Sequence, residues 1–247
     1  MKKILSKNFI DRFSRQIVLK NIGALGQKKI LFSKVLVVGI GGLGCPAAEN
    51  LTRAGVGSIG LVDNDIVNLS NIHRQSLFNS RDIKKFKVSV AAKKLKDINP
   101  NVKIKTYKVR LNKKNIKNIF QNYNIIIDGT DNFKTKFLIN DYCSKFKKKL
   151  ITGAISKFDG HVFTFNFKDK KTASLKSFYQ KNEVSDDILN CEFEGVIGTT
   201  ASIVGATQAN EALKMILEIG QNLKNQLLII DLLNLNFRKV KFKKNKD

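Results

Sequence analysis

Lys34-Val-Leu-Val-Val-Gly-Ile-Gly-Gly-Leu-Gly44 joins an apolar run to a glycine turn. Residues 35–38 have the length and β-branched content of a strand buried on both faces. Gly39, Gly41 and Gly44 then supply the G-x-G-x-x-G spacing. That spacing permits a tight turn and lets backbone N–H groups meet a phosphate at the start of the next helix. A second apolar run, Ile59-Gly-Leu-Val-Asp63, ends in a carboxylate about 20 positions on, where a ribose hydroxyl is bound in such units. The pattern implies a bound adenine nucleotide. It leaves open whether that nucleotide is NAD carrying hydride or ATP donating AMP.

Outward from this unit the chain alternates. Residues 5–32 read as helical, with Phe9, Phe13, Ile17, Leu25 and Leu31 as apolar anchors and interruptions at Gly23 and Gly26. After the glycine turn a helix runs through Ala54 and is closed by Gly55-Val-Gly57. Asn64–Ser80 is polar and aperiodic, and reads as a functional loop. A helix from Asp82 to Ile98 is stopped by Asn99-Pro100. Then follow a strand at 102–107, a short helix at 112–121, a buried strand at 124–128, a helix at about 132–146 and a strand at 149–153. This succession predicts an α/β fold, a doubly wound, mostly parallel Rossmann-like sheet with helices on both faces, extended by a C-terminal antiparallel portion.

Beyond residue 153 the rhythm changes. Residues 161–167 alternate as a strand, 168–190 are polar, and 195–217 read as a helix rich in small residues. Residues 227–231 and 235–242 read as a closing antiparallel hairpin. The expectation is a single domain over 1–247. It comprises N-terminal helices (1–33), a nucleotide-binding core (34–153), an extension with its own mixed sheet (154–240) and a basic tail (241–247).

Lys and Arg total 45 against 20 Asp and Glu, a formal net charge of +25. Lys supplies 38 of these and Arg, the better reader of phosphates and bases, only seven. The lysines are scattered from Lys2 to Lys246. That pattern fits compositional bias, or a surface that steers an acidic protein partner, more than a dedicated nucleic-acid surface. No apolar run approaches the ~18 residues that span a bilayer. Cys45, Cys143 and Cys191 are isolated, which argues against a disulfide framework. No membrane association and a cytoplasmic location are expected.

Residue chemistry separates the two nucleotides. A dehydrogenase needs an acid or base beside its nicotinamide. An enzyme that activates a carboxylate with ATP needs several convergent cations and an acid for Mg²⁺. This chain offers Arg15, Arg74, Lys87 and the segment Asp128-Gly-Thr-Asp131-Asn132 at a strand end, where doubly wound sheets bind ligands. Each has a plainer reading: Lys87 as a solvated helix-start charge, Asp131 as a helix N-cap in competition with Asn132.

The order R-x-x-R-Q, V-x-G-x-G-G-L-G, D-x-D-x-V-x-x-S-N-x-x-R-Q, a helix-opening Lys and D-x-T-D-N resembles the MoeB/ThiF/HesA family, relatives of the ubiquitin-activating enzymes, over about residues 9–240. The resemblance implies adenylation of the C-terminal glycine of a ubiquitin-like sulfur carrier protein ending in Gly-Gly, with ATP consumed and pyrophosphate released. It further implies that Gly42 and its neighbours face the nucleotide and that Asp63 takes the ribose. Asn71, Arg74 and Lys87 hold the phosphates, with Asp65 and Ser70 of the same motif and Asn132 among the nucleotide contacts. Asp131 becomes the Mg²⁺ ligand, and Arg15 reaches the site of the other subunit of a homodimer. The extension 154–240 becomes the carrier-binding part.

The chain departs from this family where many relatives carry two C-x-x-C pairs for structural zinc. The segments at 168–175 and 239–244 hold no cysteine, so no zinc site is expected. Cys191, in Asn190-Cys-Glu-Phe-Glu-Gly195, lies where relatives carry a cysteine, and is a possible nucleophile toward an acyl-adenylate. Glu192 and Glu194 would raise its pKa and oppose that role. Other readings are a tRNA threonylcarbamoyladenosine dehydratase-like enzyme, a non-catalytic carrier-binding partner and an NAD-dependent oxidoreductase.

Overall fold

β1 (Lys34–Val38) lies inside one open sheet, paired in parallel with β2 (Ser58–Val62) and with β4 (Ile125–Asp128). In the computed structural model, which describes residues 6–179 and 195–242, the sheet continues through five further pairings. β3 (Lys103–Tyr107), β5 (Lys149–Ser156), β6 (Asp159–Asn166), β7 (Gln226–Asp231) and β8 (Asn236–Lys241) complete the order β3-β2-β1-β4-β5-β6-β7-β8. β3 to β5 are parallel, and β5 to β8 are antiparallel.

The expected alternation appears as two separate cores. Val35 and Val37 of β1 join Ile59 and Leu61 on one face, against α3 (Gly44–Ala54), α4 (Lys87–Ile98) and α7 (Gly198–Leu217). Leu36 and Val38 point the other way, toward α5 (Ile116–Phe120) and α6 (Phe133–Lys145). Burial on both faces accounts for the unbroken apolar run of β1. Among the described residues, no helix is long and apolar enough to cross a membrane.

The expected antiparallel portion extends the parallel sheet directly, so the extension does not have a mixed sheet of its own. β5 has eight residues, and β6 pairs along all of it, from Lys149 opposite Asn166 to Ser156 opposite Asp159. The hairpin thus satisfies the edge of β5 that would otherwise stand unpaired, and one sheet results. Its two outer strands carry basic residues: Lys103 and Lys105 on β3, and Arg238, Lys239 and Lys241 on the exposed β8.

At the N-terminus, α1 (Lys7–Ile17) is capped by Ser6 and followed by α2 (Gly23–Phe32). Gly26 lies within α2 and interrupts nothing. A Cβ there would come 3.0 Å from Leu217 Cδ2, so its absence lets α2 close on α7. Leu25, expected as an anchor, is 76% exposed, while Gln27 and Ile30 take the inward positions.

α4 begins at Lys87, five residues after the expected Asp82. Ser80–Asp82 forms a separate 3₁₀ turn closed by reciprocal bonds: the Asn79 side chain accepts from Arg81 N, and Asp82 Oδ2 accepts from Asn79 N at 3.0 Å. Lys84 then adopts φ 66°, which the helix cannot accommodate. The helix therefore restarts at Lys87.

Candidate active site

Strand order reverses between β1 and β4, and the chain leaves both strands toward a cleft of about 340 Å³ at their C-terminal ends. This is where doubly wound sheets bind ligands. Gly39 has φ 82°, and a Cβ there would lie 2.8 Å from the carbonyl oxygen of Gly129 in the turn after β4. Glycine is thus required for the two turns to abut. Gly44 has the same packing task against the Gly39 carbonyl and lies behind the cleft wall. Gly41 differs: a Cβ there would meet only Gln75 Nε2, at 3.7 Å. It lines the cleft with Gly39 and Gly42, leaving room the protein itself does not fill.

Asp63, one residue past β2, lines the same cleft. Its Oδ2 accepts from Ile40 N at 2.7 Å and its Oδ1 from Asp65 N at 2.8 Å. Burial holds its carboxyl above the usual range, opposed by nearby Lys87 and these two N–H groups. Lys87 is 6% exposed, and its Nζ lies 3.1 Å from Asp65 Oδ2. It is a held charge at the cleft, which removes the solvated-surface reading. Arg74 lines the cleft too, its Nη1 donating to Ser70 O and to His73 Nε2, both at 2.9 Å. Because guanidinium only donates, His73 presents Nε2 as the acceptor.

Asp131 and Asn132 follow β4 at the cleft mouth. The capping competition resolves in favour of Asn132, whose Oδ1 accepts from Thr135 N at 2.9 Å. Asp131 stays exposed, and among the described residues only the Asn132 amide bonds to it, at 3.3 Å. Among the described residues no group of three His, Cys, Asp or Glu side chains converges to hold a metal. A cation at Asp131 would share its ligands with a substrate, the usual mode of Mg²⁺ on phosphates.

Not every expected residue reaches the cleft. Ser70 and Asn71 shape the loop through their carbonyls, which accept from Arg74 Nη1 and from Arg74 N and Gln75 N, and neither lines the cleft. Arg15 is exposed on α1, whose Phe13 lies against Gly55 at the far end of α3. The eleven residues of α3 span about 16 Å, so Arg15 stands well away from its own chain's cleft. Cys191 lies outside the described residues. Cys45 is fully buried behind the glycine turn, where burial pushes its thiol up to about 12. Cys143 is buried as well.

Three contributors escaped the sequence reading. Gln75 is 3% exposed and lines the cleft, its Oε1 without a hydrogen-bond partner among the described residues; its place in the R-Q pair was the available signal. Val109 to Leu111 line the cleft because they follow β3, a strand whose end faces the same way. Lys136 forms a buried ion pair with Asp128, Nζ to Oδ2 at 3.1 Å, which no motif announced.

Residues 13–247 match the model of the ThiF family. The chain belongs to that family. It is 37% identical to the sulfur carrier protein adenylyltransferase of Thermus thermophilus, over 97% of this chain and 90% of that protein. It is 38% identical to a probable molybdopterin-synthase adenylyltransferase of Gracilaria tenuistipitata, over 96% of this chain and 66% of that protein. Further relatives of similar identity are longer, and the chain spans 52–55% of the insect proteins named adenylyltransferase and sulfurtransferase MOCS3. Among solved structures, E. coli MccB with ATP superposes with a TM-score of 0.81 at 21% identity, over 95% of this chain and 72% of that one, which shows the shared fold.

Proposed function

We propose that this ThiF-family chain adenylates the C-terminal glycine carboxylate of a small ubiquitin-like sulfur carrier protein, with ATP as co-substrate, in thiamine or molybdopterin cofactor synthesis. The observation that carries this reading is the convergence of Arg74, Lys87 and Asp131 on the cleft that also holds Gly41 and Asp63. A hydride carrier with only a pyrophosphate has no use for such a set. The names of the relatives across nearly the whole chain agree with it.

In the proposed reaction a carboxylate oxygen of the carrier's last glycine attacks the α-phosphorus of ATP. The bond from that phosphorus to the bridging oxygen breaks, and pyrophosphate leaves with the electron pair. Asp63 takes the ribose, and Gly41 gives the phosphates their closest approach to backbone. Lys87 and Arg74 sit where charge accumulates on the departing pyrophosphate, and cations held in place before the reaction stabilise it most. Asp131 would hold Mg²⁺ together with the phosphates, and the ion would neutralise their charge. Arg15, remote from its own cleft, serves the cleft of a second copy in a homodimer.

The deciding measurement is ATP–pyrophosphate exchange with a purified carrier ending in Gly-Gly. Exchange that needs the carrier, and stops when its last glycine is removed, supports the reading. No exchange with any sulfur carrier of the host defeats it.

A further inference from the structure

Asp128 closes β4 with its side chain 1% exposed, beneath the turn that presents Asp131. Its carboxylate is fully engaged. Oδ1 accepts from Thr130 N at 3.0 Å and from Thr130 Oγ1 at 2.6 Å. Oδ2 accepts from Thr152 Oγ1 at 2.5 Å and from Lys136 Nζ at 3.1 Å. Lys136 also donates to Gly153 O at 2.6 Å, and Gln208 of α7 donates to the Asp128 carbonyl at 2.8 Å. Strands β4 and β5 and helix α6 therefore meet at one carboxylate, and α7 meets the main-chain carbonyl of the same residue.

A buried ion pair is seldom the most stable filling for such a place, because desolvation offsets much of the attraction and apolar residues pack as well. What the pair adds here is direction. Oδ1 grips Thr130 by two bonds, and Asn132 grips the first turn of α6. Asp131 is left between two fixed neighbours, its carboxylate accepting among the described residues only the long 3.3 Å bond from the Asn132 amide. We propose that the Lys136–Asp128 pair, acting through Thr130, is a positioning device that aims Asp131 into the cleft. The device rests on the adenylation reading for its purpose and on the turn geometry for its existence.

Thr130→Val tests it without stranding a buried charge, since Thr130 N still reaches Oδ1. Thr130→Ser restores the hydroxyl, and Lys136→Met and Lys136→Arg form a second broken and conserved pair. Two quantities are read on the full chain: hydrogen exchange of the amides over 129–132, and carrier-dependent exchange of pyrophosphate with ATP affinity measured separately. Thr130→Val should speed hydrogen exchange in that turn and lower kcat about tenfold, as loss of pre-organisation does, with ATP affinity within about twofold. Thr130→Ser and Lys136→Arg should recover most of both, and Lys136→Met should not. A turn whose hydrogen exchange is unchanged in Thr130→Val overturns the device whatever the activity. A loosened turn with unaltered kcat overturns it as well. If the unsubstituted protein catalyses no exchange, the adenylation reading alone falls, and hydrogen exchange still decides whether the turn is held.

Discussion

The parallel and antiparallel halves of the sheet use the same strands-and-turns vocabulary for opposite ends. In the parallel half, β1, β2 and β4 all stop at one edge, and the next residues are Gly39, Asp63 and the turn to Asp131. Parallel strands must be joined by crossovers, so their C-terminal ends stay free together and collect polar groups. In the antiparallel half, ends are consumed by turns such as the one between Ser156 and Asp159. That half instead buries rings: Phe163 and Phe165 stack at 6.1 Å, with Phe178 and Phe242 against them. Direction of pairing decides whether a sheet edge is available for chemistry.

The division of labour is open to direct attack. Lys87→Ala and Asp131→Ala should each lower carrier-dependent pyrophosphate exchange by about 10²–10³-fold, the scale for removing one pre-placed stabilising group. Their melting temperatures should stay within a few degrees, since the Asp65 partner left behind is 58% exposed. Phe165→Ala should do the reverse, destabilising the fold by about 3–5 kcal/mol in chemical denaturation while the folded fraction keeps its ATP affinity. Equal damage to exchange and stability from either class would erase the distinction between the halves.

Within the parallel half, Gly41→Ala should leave stability unchanged and weaken ATP binding about tenfold, near 1.4 kcal/mol, by isothermal titration. Gly39→Ala should fail in folding first, because its φ of 82° and the Gly129 carbonyl both exclude a Cβ. The smallest effect belongs to Asp82. Burial alone would raise its carboxyl, but bonds from Lys94 and Asn79 N outweigh that and hold it below the usual range. Its contribution is therefore present above the unfolded carboxylate range, near pH 4, and is lost as the pH falls through the lower folded value. Asp82→Asn should cost about 1 kcal/mol at pH 7, and the difference should vanish in acid.

Much of the parallel half was legible in the sequence because its signals are local. Glycine spacing, unbroken apolar strands and the Asn99-Pro100 stop each act within a few residues. The single sheet was not, because whether β6 pairs with β5 depends on an edge that local pattern cannot reveal. The Lys136–Asp128 pair was hidden for a similar reason: α6 must fold back over β4 before the two charges meet, and in a chain with so many lysines one more attracts no notice. The family pattern assigns Arg15 to the other subunit's site, and the packing of Phe13 on Gly55 supplies what the pattern alone does not, the physical reason that it stands away from its own cleft.

The lysines on β3 and β8 bear on more than the fold. An open sheet exposes a row of unpaired N–H and C=O groups at each side, and each row is a template on which another chain can crystallise into a growing ribbon. Both flanking strands here bristle with like charge, so a second molecule approaching edge-on meets repulsion before it meets a hydrogen bond. Part of the +25 charge thereby acts as a colloidal guard, one that weakens as added salt shortens the reach of its field.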